Sequence, residues 1–222
     1  MTHIPSVRHV RPVRPLEFPS YRPEFDLGET LPHGRMCEVL YVVLTRLVGS
    51  AHCVGTDNFV YYDAKDPKKC LAPDAFLKLG ARQEMFETWK IWEKGAPELC
   101  VEIVSPSDTH EYLPLATKMK RYHALGTSEL VVFDTEAPVG TRLRAFDRVR
   151  GDLVERVVDK ETTPCLTLTR HSGARVDWLL APSPADGLDL SLRLTRDGAL
   201  VPTDKEKIAA LETQLAQSGS RT

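Results

Sequence analysis

The sequence lacks the apolar stretches that membrane insertion or secretion requires. No run approaches the roughly 18 apolar residues that cross a bilayer, and the N-terminus has no apolar segment typical of a secretory signal. We therefore expect a cytoplasmic protein without a membrane partner. Its 222 residues, 42% hydrophobic and 27% charged, are typical of one folded globular domain.

Cysteine is scarce and has no metal-binding or disulfide spacing. The count is odd, the residues are widely scattered, and no two of them stand at C-x-x-C distance. This pattern indicates neither a disulfide framework nor a zinc knuckle. The five cysteines are Cys37, Cys53, Cys70, Cys100 and Cys165.

Net positive charge is also missing. The formal charge of −2 argues mildly against binding to nucleic acid, which usually requires a basic surface. Two local clusters supply positive charge, the lysines of residues 65–69 and the group Lys118, Lys120 and Arg121. An ordinary solvated face is the commoner explanation of either cluster.

The two ends of the chain differ in composition from its centre. Residues 1–25 contain five prolines and four arginines, which exclude a helix or a central strand and predict an extended arm. A poorly ordered tail, a contact with a partner subunit and a contact with phosphates all remain open for it. Residues 26–200 are expected to form the globular domain and residues 201–222 a C-terminal helix and tail. The amphipathic run from Asp204 to about Gln217 either pairs with its copy in a homodimer or docks on its own domain.

The centre alternates between helical and strand patterns. Apolar residues spaced by three and four predict a helix from Gly34 to about Val48. Strands are predicted at 59–62, 72–77, 98–104 and 129–134, a second helix at 112–125, and a surface loop or short hairpin at 81–96. Alternating runs at 141–149, 152–158, 164–168 and 175–180 predict antiparallel strands that extend the sheet. The expected fold class is α/β (α+β), a mixed central sheet flanked by helices.

Glu102 is the residue whose environment most needs an explanation. It shares a strand face with Cys100 and Val104, both apolar, so its carboxylate is withdrawn from water. A buried carboxylate must be neutralised by a proton, a cationic partner or a metal ion. Asp74, at the start of a neighbouring strand, can supply a second carboxylate, and such a pair can bind magnesium or manganese.

Lys118 falls within the inward stripe of the second predicted helix. That stripe is set by Leu115, Met119, Tyr122 and Leu125. A lysine on an apolar face commonly extends its amine to the margin. Beside two acids it becomes a charge partner or a stabiliser of transition-state charge.

Three motifs in succession resemble the Uma2 family, formerly DUF820. They are Ala-Pro-Asp at 72–74, Val-Glu-Ile-Val-Ser-Pro-Ser at 101–107, and Lys118-x-x-x-Tyr122-x-x-x-Gly126-x-x-Glu129. The resemblance extends over roughly residues 30–200 and includes Pro32-His33-Gly34. Members of this family are similar to PD-(D/E)XK nucleases, which implies a restriction-endonuclease-like core.

The resemblance also implies roles for individual residues. Asp74 and Glu102 are expected to hold the metal. The lysine expected two residues after the glutamate is replaced by Val104, and Lys118 is expected to take over its role. An acid from the first helix often completes such sites, which points to Glu38. Glu98 is either a further ligand or a capping charge.

We therefore expect a Mg²⁺- or Mn²⁺-dependent endonuclease-like phosphodiesterase that acts on nucleic acid, with DNA as the expected partner. Two alternatives remain. The first is a catalytically inactive nuclease-fold module that binds nucleic acid or regulates, favoured by Val104 and by the absence of net positive charge. The second is a structural homodimer in which Glu102 and Lys118 form a buried ion pair.

Overall fold

The structure is a computed structural model that describes residues 15–21, 30–104 and 114–219. Most of the predicted arm, the Ser-Pro-Ser segment at 105–107 and the first residues of the predicted helix at 112–125 lie outside the described ranges. Within these ranges, no helix is both long enough and apolar enough to span a membrane.

The described residues form five α-helices and thirteen strands. The helices are α1 (Leu31–Val48), α2 (Ile91–Lys94), α3 (Leu115–Leu125), α4 (Leu166–Ser172) and α5 (Asp204–Gly219). The strands are β1 (Cys53–Gly55), β2 (Val60–Tyr61), β3 (Cys70–Leu71), β4 (Ala75–Lys78), β5 (Trp89–Lys90), β6 (Leu99–Val104), β7 (Glu129–Asp134), β8 (Leu143–Val149), β9 (Asp152–Arg156), β10 (Thr162–Pro164), β11 (Val176–Ser183), β12 (Leu188–Arg196) and β13 (Ala199–Leu200).

Helix α1 confirms the predicted first helix but begins three residues earlier than Gly34. Thr30 caps it, because its hydroxyl accepts a hydrogen bond from the backbone N–H of His33 at 3.4 Å. Pro32 lies in the first turn, where a missing backbone N–H costs nothing. The cap therefore fixes the position of His33 at the start of the helix.

A six-stranded mixed sheet forms the centre of the fold. Its strand order is β1-β4-β6-β7-β8-β9, in which β6 and β7 are parallel and the other neighbours antiparallel. Strands β8 and β9 are the predicted antiparallel extension. The fold is thus a mixed α/β fold with a mixed central sheet flanked by helices, as the sequence predicted.

Both faces of the central strand β6 are covered. Leu99, Val101 and Ile103 pack on one side into a core with α1 and strands β11 and β12. On the other side, Cys100 packs into a second core that includes Tyr122 from α3. Glu102 shares the side chain direction of Cys100, so its carboxylate lies on the α3 side of the sheet.

The predicted strand at 164–168 is wrong beyond Pro164, since residues 166–172 form helix α4. The buried carboxylate of Glu129 accepts the backbone N–H groups of Leu166 at 3.2 Å and Thr167 at 2.7 Å. It therefore satisfies two of the unpaired donors at the start of this helix. A partner 37 residues away along the chain decides this element, which local pattern cannot reveal.

The run at 175–180 is a strand but does not extend the central sheet. It belongs to β11, which pairs with the unpredicted β12 in a four-stranded sheet ordered β10-β11-β12-β13. A period of two indicates a half-buried strand but does not select the neighbour with which it pairs.

The segment at 81–96 is neither a plain loop nor a hairpin. Trp89 and Lys90 form β5, parallel to β2, and helix α2 follows. Trp89 is buried and its indole N–H donates to the Gly95 carbonyl at 2.8 Å, so this ring packs in the core. Trp92, 39% exposed, contacts Phe18 from the described part of the arm.

Candidate active site

Asp74, the residue directly before β4, lies beside Glu102 of β6. The antiparallel register of β4 and β6 pairs Ala75 with Val101 and Phe76 with Cys100. Continued by one residue, this register sets Asp74 opposite Glu102, where Cβ atoms are about 5 Å apart. Both side chains are buried, with 6% and 3% of their residues' surface exposed. The structure thus brings the two predicted acids together.

Asp74 is held by contacts in two directions. Its Oδ2 accepts a hydrogen bond from the backbone N–H of Ile103. Its Oδ1 is joined to Nε2 of His33 by a hydrogen bond of 3.0 Å. The first contact fixes the carboxylate against β6, and the second links it to the start of α1.

Two side chains of helix α3 contact the carboxylate of Glu102. Lys118 Nζ donates to Oε1, and the hydroxyl of Tyr122 donates to Oε2 at 2.5 Å. Lys118 and Tyr122 are four residues apart and therefore lie on one face of the helix, one turn from each other. Each oxygen of Glu102 thus has its own donor.

The pKa of Glu102 is raised from 4.5 to about 7. Burial is the main cause because it penalises the charged form, and the negative charge of Asp74 acts in the same direction. Lys118 and Tyr122 oppose the rise. Burial, and next the charge of Glu102, raises the pKa of Tyr122 well above 10.0, so its phenol is neutral and remains a donor.

The other two predicted acids lie elsewhere. Glu38 points away from the buried stripe of α1; its side chain is 68% exposed and pairs with Arg35 at 3.8 Å. Glu98 accepts hydrogen bonds from Lys78 Nζ at 2.5 Å and from the backbone N–H of Leu79 at 2.7 Å. Glu98 is therefore occupied as a charge partner at the opposite end of β6 from Glu102.

Sequence reasoning missed His33 and two residues beside it. Ligand atoms of His33, Cys37, Asp57 and Asp74 all lie within 4.8 Å of one another. His33 and Cys37 are four residues apart, a spacing that could have signalled a shared helix face. Asp57 follows β1 in a loop, and no sequence spacing connects it to the others.

Comparison with known proteins places this chain in a family. The family model of Uma2, described as "Putative restriction endonuclease", matches residues 25–175, more than half of the chain. The chain belongs to the Uma2 family. The match includes His33, Asp74, Glu102, Lys118 and Tyr122.

Among solved structures, this Uma2 chain is similar to "a putative nuclease belonging to DUF820" from Anabaena variabilis ATCC 29413. The two share 12% sequence identity with a TM-score of 0.44, over 64% of this chain and 76% of that chain. A comparison with curated proteins finds no match.

The Uma2 site has a donor set that suits a divalent cation. Asp74 and Glu102 place two carboxylates together in a buried environment, where burial and the negative charge of Asp74 raise the pKa of Glu102. A cation between them would stabilise both ionised groups. Carboxylate oxygens are ligands that Mg²⁺ and Mn²⁺ accept.

Proposed function

We propose that this Uma2 protein is a cytoplasmic Mg²⁺- or Mn²⁺-dependent phosphodiesterase that cleaves DNA internally. The observation that carries the proposal is the placement of Asp74 opposite Glu102, together with the contact of Lys118 with the Glu102 carboxylate. Two carboxylates can hold the ion of a metal-assisted phosphodiester hydrolysis, and a lysine beside them can stabilise the charge that develops on the phosphate.

Asp74 and Glu102 would hold the metal ion. When bound, the ion would polarise a phosphate oxygen and make a coordinated water more acidic. The hydrogen bond from Ile103 fixes Asp74, and the bond from Tyr122 fixes Glu102. The protein thereby orients both carboxylates without a further ligand from Glu38.

Lys118 supplies the only amine that the described residues bring to Glu102. Its side chain is 14% exposed, so the ammonium group lies at the boundary between the core and solvent. From there it can stabilise negative charge that develops on the scissile phosphate. This placement supports the proposal that Lys118 takes the role of the lysine that the family pattern expects at position 104, where this chain has valine.

Basic side chains near α3 support nucleic acid as the substrate. Arg121 donates from Nη1 to the Cys70 carbonyl at 3.1 Å, which ties α3 to the end of the lysine-containing loop 63–69. Lys65, Lys68 and Lys120 are exposed. The helix that carries Lys118 and Lys120 therefore lies next to the end of the loop that carries Lys65 and Lys68, and the exposed lysines of both elements can contact phosphates.

Cleavage of supercoiled plasmid and single-stranded DNA, with Mn²⁺, with Mg²⁺ or with chelator, tests the proposal. Asp74→Asn, Glu102→Gln and Lys118→Ala should each lower the rate, by about 10²–10³-fold for the loss of one charge-stabilising group. Glu38→Gln is the matched control and should keep the wild-type rate. Binding of Mn²⁺ without cleavage of either substrate would favour the catalytically inactive module.

We also propose that α5 pairs with α5 of a second copy in parallel. All residues from 207 to 218 are exposed, so beyond its first turn the helix does not pack on the part of the domain that the structure describes. Ile208, Leu211 and Leu215 are 55%, 58% and 72% exposed at three-and-four spacing. A single helix of this length is marginally stable in water, and pairing would bury the apolar stripe.

The charges of α5 favour a parallel arrangement. With Ile208 and Leu215 at the first core position of successive heptads, Lys207 and Glu212 take the two flanking positions. In a parallel pair these positions meet across the interface, so Lys207 faces the partner's Glu212. The N-terminal end is anchored by buried Arg193, which donates to Glu206 Oε2 at 2.7 Å.

A further inference from the structure

The start of α1 and the loop after β1 bring a mixed set of metal-ligand side chains to Asp74. His33 and Cys37 lie one turn apart on the buried face of α1. The backbone N–H of Asp57 donates to the Pro73 carbonyl at 3.0 Å, which holds this loop beside Asp74. One ligand atom from each of these four residues lies within 4.8 Å of the others.

We propose that His33, Cys37, Asp57 and Asp74 bind one thiophilic divalent ion of the zinc class. A thiolate and an imidazole favour such an ion, whereas Mg²⁺ requires oxygen ligands. Four ligands of types S, N, O and O complete a tetrahedral shell. Glu102 does not belong to this set, so the ion is distinct from one held between Asp74 and Glu102.

Burial agrees with a four-ligand site. His33 Nε2 and Asp74 Oδ1 are joined by a hydrogen bond of 3.0 Å, and the four ligand atoms, all within 4.8 Å of one another, would move closer around an ion whose bonds to N and O ligands are about 2.0–2.2 Å. His33, Cys37 and Asp74 are buried, with 4%, 4% and 6% exposure, while Asp57 is exposed. Asp57 therefore forms the solvent side of the site, through which the ion would enter.

The shared carboxylate of Asp74 couples this ion to the proposed nuclease site. Its Oδ1 faces His33, and its Oδ2 faces the backbone of Ile103 next to Glu102. Occupation of the His33–Cys37 side would change the charge that Asp74 presents to Glu102. The thiophilic site itself does not depend on nuclease activity, because three of its four ligands lie outside the proposed catalytic group.

Titration of the purified, metal-free full-length protein with Co²⁺ tests the proposal. A thiolate-to-cobalt charge-transfer absorption in the near ultraviolet, together with visible bands typical of four-coordination, should reach its full intensity with one thiolate-bound Co²⁺ per chain. Zn²⁺ should displace the Co²⁺, and Mg²⁺ in large excess should not. Competition with a chromophoric chelator gives the affinity for Zn²⁺ itself.

Matched variants separate this site from the nuclease site. Cys37→Ser should abolish the charge-transfer absorption, and Asp57→Asn, at an exposed position, should weaken Zn²⁺ affinity at least 10-fold with the fold intact by circular dichroism. Cys53→Ser, another buried cysteine, and Glu102→Gln should both keep the signal. The proposal is overturned if Co²⁺ gives no thiolate band, if Cys37→Ser keeps it, or if Glu102→Gln removes it.

Discussion

The hydroxyl of Tyr122 donates a 2.5 Å hydrogen bond to Oε2 of Glu102 inside the core of the protein. A neutral phenol can stabilise an ionised carboxylate there without adding a second buried charge. This arrangement keeps Glu102 available in its charged form, the form that binds metal.

Tyr122→Phe should therefore weaken Mn²⁺ binding near neutral pH. Without the phenol donor, the pKa of Glu102 should rise above its value of about 7, so fewer molecules carry the charged carboxylate. Calorimetric titrations at pH 7.0 and 8.5 measure this: affinity should fall several-fold at pH 7.0 and recover at 8.5. Tyr61→Phe, which removes a hydroxyl bonded to the Pro19 carbonyl, is the control and should bind as wild type. Equal affinity of Tyr122→Phe and wild type at pH 7.0 would refute the role.

Metal-free protein should lose stability as the pH rises, and Glu102→Gln should remove that loss. The folded-state pKa of Glu102, about 7, exceeds the value of 4.5 for an unperturbed glutamate. The protonated carboxyl therefore stabilises the folded state fully below pH 4.5, and this contribution disappears as the pH rises through 7. Its size is on the order of 3 kcal/mol.

Urea unfolding in chelator between pH 4.5 and 8 measures this contribution. The difference in unfolding free energy between wild type and Glu102→Gln reports the titration of Glu102 together with its electrostatic interaction with Asp74 and Lys118. As the pH rises from 4.5 to 8, the free energy of unfolding of the wild type should fall relative to that of the variant. Parallel curves for the two proteins would show that burial does not raise the pKa of Glu102.

Lys118→Met should destabilise the protein only where Glu102 is ionised. The variant leaves a buried carboxylate without its cationic partner, a loss of about 3 kcal/mol. Thermal unfolding should show a lower melting temperature at pH 8 and little change at pH 5.5, where Glu102 is protonated. The double variant Lys118→Met/Glu102→Gln should regain stability at pH 8. A purely structural ion pair would give the same unfolding result while leaving DNA cleavage unchanged by Lys118→Ala.

The parallel pairing of α5 predicts a charge-swap rescue. Leu211→Glu should convert the dimer to a monomer, because it places a charge in the apolar stripe. Lys207→Glu and Glu212→Lys should each weaken the dimer, and the double swap should restore it. Light scattering coupled to size-exclusion chromatography reads the mass. A monomeric wild type, or a double swap no better than either single change, contradicts the proposed arrangement.

The acids of the candidate site could be predicted because each carries its own local signal. Glu102 interrupts an apolar strand, and Asp74 follows a proline at the start of the predicted strand at 72–77. Their juxtaposition then needs only the pairing of β4 with β6. Lys118 carries a similar signal, because it is a charge within the apolar stripe of α3.

The remaining residues depend on contacts between distant parts of the chain. His33 forms a hydrogen bond with Asp74, which lies 41 residues away along the chain. A single histidine near the start of a helix has no distinguishing sequence pattern. Glu129 caps α4 from 37 residues away, which overrides the strand-like alternation at 164–168. In both cases the tertiary partner, not the local sequence, decides the structure.

Asp74 stabilises the end of β6 as well as being a candidate ligand, because its carboxylate accepts a hydrogen bond from the backbone N–H of Ile103. An alanine at position 74 would abolish the ligand and also release the end of the strand that carries Glu102. Loss of activity in such a variant would have two causes that cannot be separated. Asparagine keeps an oxygen to accept the Ile103 N–H while removing the negative charge, so knockouts by alanine would overstate the chemical contribution of this carboxylate.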